Sequence, residues 1–168
     1  MKAVIIYQID ELKDEARKNA INNLRSKAHE YASDICWMDA RDTQNRIEKL
    51  SGVKVGVQQN SQGFYYKLFG EKHLDLTPEE NRQKWEDFVK AVKEDNTTTW
   101  ADDLYLDVLE NTEFSDDETF AEHVAETLCW FAQDIEYHCD DYLEDDYVME
   151  YAIENDLYFT EKGNLYEG

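Results

Sequence analysis

Hydrophobic positions change period several times along this chain. Residues 3–9 form an apolar run rich in Val and Ile, which predicts a short N-terminal strand. After Asp10-Glu11, residues Leu12, Ala16, Ala20, Leu24, Ala28 and Tyr31 recur every three or four positions, the spacing of one helix face. A second helix is expected over Asp34 to Leu50, with Ile35, Met38, Ile47 and Leu50 turned inward and Gly52 ending it. The period then becomes two. Val53, Val55 and Val57 alternate, Asn60-Ser61-Gln62-Gly63 has turn chemistry, and Phe64 to Phe69 returns, so a hairpin is expected near 53–69.

Thr77-Pro78-Glu79-Glu80 is a helix start: Thr77 can cap, Pro78 suits the first turn, and Glu80 completes a capping box. Trp85, Phe88, Val89 and Val92 follow as one apolar face. Asn96 to Thr99 is a polar break, and Trp100 to Glu110 is a short helix using Leu104, Tyr105, Val108 and Leu109. Ser115-Asp116-Asp117-Glu118 is a second capping-box pattern. It is expected to open the longest helix, with Phe120, Val124, Leu128, Phe131, Ile135, Cys139 and Tyr142 as its buried stripe and a bend at Asp145-Asp146. Residues 157–167 predict a terminal hairpin. With one proline, no Ser/Gly linker and no internal repeat, the expectation is a single α+β domain over 1–168: helix-rich, with a small antiparallel sheet.

Charge changes this picture. The chain carries 17 Lys+Arg against 39 Asp+Glu, a formal charge of -22. Direct binding of nucleic acid or of anionic membrane through a basic patch is thereby excluded as a whole-surface mechanism. The N-terminal half, 1–84, is near neutral, and the excess lies in 85–168. Residues 94–161 hold 23 acids and no Lys or Arg. A halophilic surface would be acidic throughout, so the split argues against that origin. Disordered acidic tails are poor in aromatics, whereas this segment contains Trp100, Trp130, Phe131, Tyr137, Tyr142 and Tyr147 among others. It reads as a folded acidic surface whose self-repulsion a basic partner would offset. No apolar stretch approaches the roughly 20 residues of a membrane span. The N-terminal apolar run is too short for a signal peptide. Three sparse cysteines, Cys36, Cys129 and Cys139, suit free thiols in a reducing cytoplasm.

The acids on the expected long helix are the candidate binding surface: Glu122, Glu126, Asp134, Glu136, Asp140, Asp141, Glu144, Asp145 and Asp146. With Glu118 they make ten carboxylates over residues 118–147, about one per 4.5 Å of helix axis. A DNA strand carries one charge per about 3.4 Å. Rows at i+4 and i+7, such as Glu136/Asp140/Glu144 and Asp134/Asp141/Asp145, could mimic phosphates for a site built from Lys and Arg. The plainer reading is a solvated helix face. The bland alternative for charge balance is that Arg17, Lys18, Arg25, Lys27, Arg41, Arg46 and Lys49 pair with the acidic half, within one chain or across a homodimer.

Catalytic signatures are missing: there is no P-loop, dinucleotide fingerprint or nucleophile elbow. His29 and His73 have no recognisable partners. Asp140-Asp141-x-x-Glu144-Asp145-Asp146 lacks the Gly and ligand spacing of an EF-hand. His123, Cys129, His138 and Cys139 lie on one expected helix without the paired spacing of a structural zinc site. No metal or cofactor is expected, and a binding protein is favoured over an enzyme. A metal-dependent enzyme using clustered carboxylates remains the second alternative.

Two segments carry a resemblance. Ile9-Asp10-Glu11-Leu12-Lys13-Asp14-Glu15-Ala16-Arg17-Lys18-Asn19-Ala20 and Glu154-Asn155-Asp156-Leu157-Tyr158-Phe159-Thr160-Glu161-Lys162-Gly163 resemble small acidic phage and prophage proteins labelled as antitoxins of toxin–antitoxin stability systems. By charge and size the chain is also similar to anti-CRISPR and antirestriction inhibitors. The resemblance implies a mobile genetic element in a bacterial cytoplasm and carries over no site residue. The expected partner is a basic nucleic-acid-binding protein, a CRISPR effector or restriction enzyme. The alternative is a cognate toxin held through a hydrophobic or mixed interface.

Overall fold

The computed structural model describes residues 3–70, 75–95 and 99–168. These residues form helix α1 (Asp14–Ser51), strands β1 (Lys54–Asn60) and β2 (Gly63–Phe69), then helices α2 (Pro78–Glu94), α3 (Trp100–Glu110), α4 (Phe120–Asp140) and α5 (Asp145–Glu154). The class is α+β, helix-rich with one small antiparallel sheet. Among the described residues no helix is long and apolar enough to cross a membrane. The expected break at Asn96 to Thr99 and His73 fall at least partly outside the described residues.

The two helices expected before Gly52 are one helix of 38 residues, which makes α1 longer than the 21-residue α4. Nothing between Tyr31 and Ile35 stops a helix. There is no Gly or Pro, and Ala32 has the highest intrinsic propensity. The buried stripe runs on unbroken through Ala28, Ala32, Cys36, Ala40, Thr43 and Ile47. Holding that register leaves Ile35 and Met38, expected inward, exposed. Gly52, at φ +70, ends the helix as expected, its N–H reaching the Glu48 carbonyl at 2.9 Å.

Contacts group the chain into two compact units: residues up to Ile35 with Tyr137–Gly168, and Cys36–Glu136. In the first unit, Ala16, Ala20, Ile21, Leu24 and Ala28 of α1 share one apolar cluster with Val148, Tyr151 and Ala152 of α5, closed by Ile9 and Phe159. The expected N-terminal strand shrinks to a bridge. Tyr7 and Phe159 exchange backbone hydrogen bonds of 2.9 and 2.8 Å, while Val4, Ile5 and Ile6 are exposed. A strand needs several consecutive partner groups. The C-terminal segment offers one before Thr160 N–H turns back to the Asn164 carbonyl at 2.9 Å. The expected terminal hairpin is likewise a tight turn with a single Phe159–Leu165 bridge.

In the second unit β1 and β2 pair around the turn expected at Asn60 to Gly63, with Lys54 opposite Phe69 and Asn60 opposite Gly63. Helix α2 starts at Thr77 with the anticipated capping box and Pro in the first turn, and α3 has the expected bounds. Trp85, Phe88 and Val92 of α2, Tyr105 and Leu109 of α3, and Phe120, Val124, Leu128, Phe131 and Ile135 of α4 are all buried. Two polar groups brace this core. The Tyr105 hydroxyl meets Thr127 Oγ1 at 2.9 Å, and Thr127 donates to the Val124 carbonyl at 2.7 Å. Buried Asn81 donates from Nδ2 to the Leu76 and Thr77 carbonyls and accepts the Phe120 N–H on Oδ1 at 2.9 Å. One side chain thus joins the first turns of α2 and α4.

That bond helps set where α4 begins. The helix was expected to open on the box at Ser115 to Glu118. It opens instead at Thr119, whose Oγ1 accepts the Glu122 N–H at 3.2 Å while Glu122 Oε2 accepts the Thr119 N–H at 3.0 Å. Both tetrapeptides fit the capping pattern. The second satisfies one more orphan donor, because Asn81 is in place to take the Phe120 N–H.

Candidate functional site

Helix α4 ends at Asp140, residues 141–143 form a 3-10 turn, and α5 begins at Asp145. The rows Glu136/Asp140/Glu144 and Asp134/Asp141/Asp145, expected along one helix, are therefore cut short: Asp134, Glu136 and Asp140 are on α4, and Asp141, Glu144 and Asp145 fall beyond its end. Continuing the helix would stack carboxylates at i and i+4, which repel. Aspartates are also better placed at a helix N-terminus, where the dipole favours them. Asp145 and Asp146 sit in the first turn of α5. Arg25 secures this junction, donating to the Leu143 carbonyl and pairing with Asp145 Oδ1 at 2.6 Å.

The nine candidate residues divide by unit. In the Cys36–Glu136 unit, Glu122 closes the cap of α4. Glu126 and Asp134 are half-buried. Exposed Glu136 accepts a 3.0 Å hydrogen bond from Gln59. Burial, with the charge of Asp107 added, raises the Asp134 carboxyl above its ordinary value. In the other unit Asp140, Asp141, Glu144, Asp145 and Asp146 are all exposed. Apart from the Asp145–Arg25 pair, these five carry no ion pair among the described residues.

Part of the acidic half is neutralised internally. Arg46 pairs with Asp102 at 2.7 Å and Asp95 at 3.1 Å, and Arg82 with Asp116 at 2.5 Å. Arg17 does something else: its guanidinium donates to the Asp10 and Leu12 carbonyls at 2.8 and 2.9 Å.

A second cluster lies at the start of α4, in the Cys36–Glu136 unit. His123 and Glu126 are one turn apart at i, i+3 and so share a face. Glu118 folds back from the preceding turn, its N–H reaching the Ser115 carbonyl at 3.3 Å. One donor atom from each of Glu118, His123 and Glu126 lies within 4.8 Å of the others; no other such group occurs among the described residues. The imidazole is 2 % exposed and packs against Phe114, with centroids 4.4 Å apart, and Trp85, at 5.4 Å. Its Nε2 is 2.9 Å from the Ser115 N–H and 3.1 Å from the Ser115 carbonyl, so it accepts or donates according to tautomer. Its Nδ1 is buried without a hydrogen-bond partner, and so is Glu118 Oε2, 3.7 Å away.

Burial, then the adjacent Glu118 charge, raises the Glu126 carboxyl. Burial, then Glu126, pushes the Cys129 thiol up to about 11, which keeps it protonated at neutral pH. Burial, then the charges of Glu122, Glu126 and Glu118, raises the Tyr66 phenol. Glu126 also lines a cleft of about 370 Å³ with Tyr65, Tyr66, Cys129, Trp130 and Gln133.

Sequence reasoning missed this convergence. The His123-x-x-Glu126 spacing is legible in the sequence, but Glu118 also fits the capping box at Ser115, and nothing local ties it to His123. The three cysteines are buried and form no disulfide. No protein-family model matches the chain, and neither a curated protein nor a solved structure does.

Proposed function

We propose that this protein is an inhibitor of the kind carried by phages and other mobile elements. It blocks a basic, nucleic-acid-binding bacterial defence nuclease of the CRISPR or restriction type by presenting carboxylates where that enzyme holds phosphates. One observation carries the reading. Asp140, Asp141, Glu144 and Asp146 are exposed and without an ion pair among the described residues, within seven residues that also include Asp145. Carboxylates at this density repel one another. A site rich in Arg and Lys would relieve that repulsion through charge-assisted hydrogen bonds and release of its own counterions. Glu122 and Glu126, expected in the same surface, are set aside because they serve the cap and the cluster beside it.

The test is DNA cleavage by purified CRISPR effectors and restriction enzymes with and without the protein. Inhibition of one of them should weaken steeply with salt. It should be lost in an Asp140→Lys, Glu144→Lys double variant and kept in a Lys13→Glu, Lys18→Glu variant. Inhibition indifferent to both salt and the double variant would remove the mimic from consideration. The exposed Val4, Ile5 and Ile6 favour a second reading, an antitoxin-like protein that holds a cognate toxin through apolar contact. Such binding would depend weakly on salt and fail on Ile5→Asp.

A further inference from the structure

The cluster at the start of α4 has chemistry that the inhibitor reading does not use. We propose that Glu118, His123 and Glu126 bind a divalent transition-metal ion of the zinc class, through imidazole Nδ1 and one oxygen of each carboxylate. The first argument is distance. Donors around a tetrahedral ion at about 2.0–2.2 Å are separated by about 3.4 Å. Nδ1 and Glu118 Oε2 are 3.7 Å apart, and all three donors lie within 4.8 Å of one another. Small side-chain rotations close the set.

The second argument is independent of the acids. His123 is almost wholly buried, yet its Nδ1 has no hydrogen-bond partner. A buried polar atom left unmatched is costly, and a native core rarely tolerates one without a use for it. This nitrogen faces Glu118 Oε2, also buried and without a hydrogen bond, at 3.7 Å: near enough for an ion pair with a protonated imidazole and too far for a hydrogen bond. A metal ion satisfies both atoms at once.

The surroundings fit the same chemistry. A ligating histidine commonly donates its other N–H to a carbonyl, which sets the tautomer and aims the lone pair. The Ser115 carbonyl, 3.1 Å from Nε2, is that acceptor in the tautomer protonated at Nε2, which metal binding at Nδ1 requires and in which the Ser115 N–H, 2.9 Å from Nε2, must turn aside. Phe114 and Trp85 fix the ring plane. Two carboxylates, one neutral imidazole and a divalent cation sum to zero charge, which removes the repulsion between Glu118 and Glu126. Imidazole selects zinc-like ions over Mg²⁺ and Ca²⁺, which prefer all-oxygen sites. Three protein donors leave a coordination position for water, and one of the three, Glu126, also lines the cleft with Tyr66 and Trp130. None of these residues lies in 140–146, so the site stands or falls apart from the inhibitor reading.

The experiment is calorimetric titration of chelator-treated protein with ZnCl₂ in the presence of excess Mg²⁺, which occupies surface carboxylates. One equivalent should bind, and the His123 ring resonances should shift with it. Glu126→Gln should weaken that binding by about tenfold or more. Glu118→Gln is the second variant, and circular dichroism checks the fold of both. Co²⁺ should give the visible bands of a low-coordinate site in wild type and lose them in the variants. A wild type without a stoichiometric site, unchanged affinity in folded variants, or His123 resonances unmoved by zinc would each overturn the proposal.

Discussion

The carboxylate of Asp102 accepts a 2.7 Å hydrogen bond from the guanidinium of Arg46. Thr43 Oγ1 donates to the same oxygen at 2.8 Å, and the Thr99 N–H to the other at 3.2 Å. Burial alone would raise this carboxyl. The hydrogen bonds of Arg46, Thr43 and Thr99, with the Arg46 charge, overcome it and hold the group below the usual carboxylate range. The sign follows: Asp102 contributes stability in full above the ordinary carboxylate pKa of about 4, and that contribution is lost as pH falls toward its folded value. Asp102→Asn should therefore cost about 1–3 kcal/mol near neutrality, because it leaves a largely buried Arg46 with Asp95 as its one remaining carboxylate partner. The loss should shrink below pH of about 4. Urea unfolding at the two pH values measures both effects. A loss near neutrality of under about 1 kcal/mol would rank the pair with ordinary surface bridges.

Asp134 has the opposite sign. Its carboxyl is raised, by burial first and by Asp107 second. A raised folded pKa means the native state holds the proton more tightly than the unfolded chain does, so stability increases as pH falls toward that value. Asp134→Asn should raise the melting temperature near neutrality and flatten the gain that wild type shows on mild acidification. A variant that melts lower than wild type at neutral pH would contradict this.

Gly163 lies against the Ala16 backbone. Its φ is +80, and a Cβ built there would fall 2.0 Å from the Ala16 carbonyl oxygen. Gly163→Ala combines a left-handed backbone penalty with a clash against main chain, together roughly 2–5 kcal/mol. Gly52→Ala, in open space at φ +70, shares the left-handed backbone strain without the clash. Equal melting temperatures for the two variants would show that the clash relaxes.

Arg17 and its neighbours separate charge from structure. Lys13 and Lys18 are exposed, so reversing them should leave stability within about 0.5 kcal/mol. Arg17→Ala removes the donor to the exposed Asp10 and part-buried Leu12 carbonyls and should cost about 0.5–1.5 kcal/mol. Chemical denaturation of the three variants checks the contrast.

Several elements were legible because their signals are local. The Thr77 capping box, the turn at Asn60 to Gly63, the glycine stop at Gly52 and the α4 stripe from Phe120 to Ile135 each depend on side chains within a few positions, and each stands where expected. The errors arose where two local patterns competed or where a partner was needed. Ser115 and Thr119 both fit a helix cap, and a side chain 39 positions from Phe120, Asn81, favours Thr119. Residues 3–9 have strand composition, but the chain supplies Tyr7 with one partner, Phe159, and the rest of the run stays unpaired. Ile35 and Met38 are apolar enough for a core, yet one continuous α1 turns them out.

Composition and order along the chain were enough to establish a helix-rich α+β protein with a near-neutral first half and a dense acidic second half. Those properties depend on residue identity and short-range periodicity. They do not say which carboxylates remain free. A local cap commits Glu122 to Thr119, and tertiary contacts commit Asp102 to Arg46 and Asp145 to Arg25, leaving Asp140, Asp141, Glu144 and Asp146 facing water. They also fold Glu118 back onto a buried histidine. Whether a charge is spent inside or presented outside depends on where a distant donor comes to rest, and that distance exists once the chain has folded.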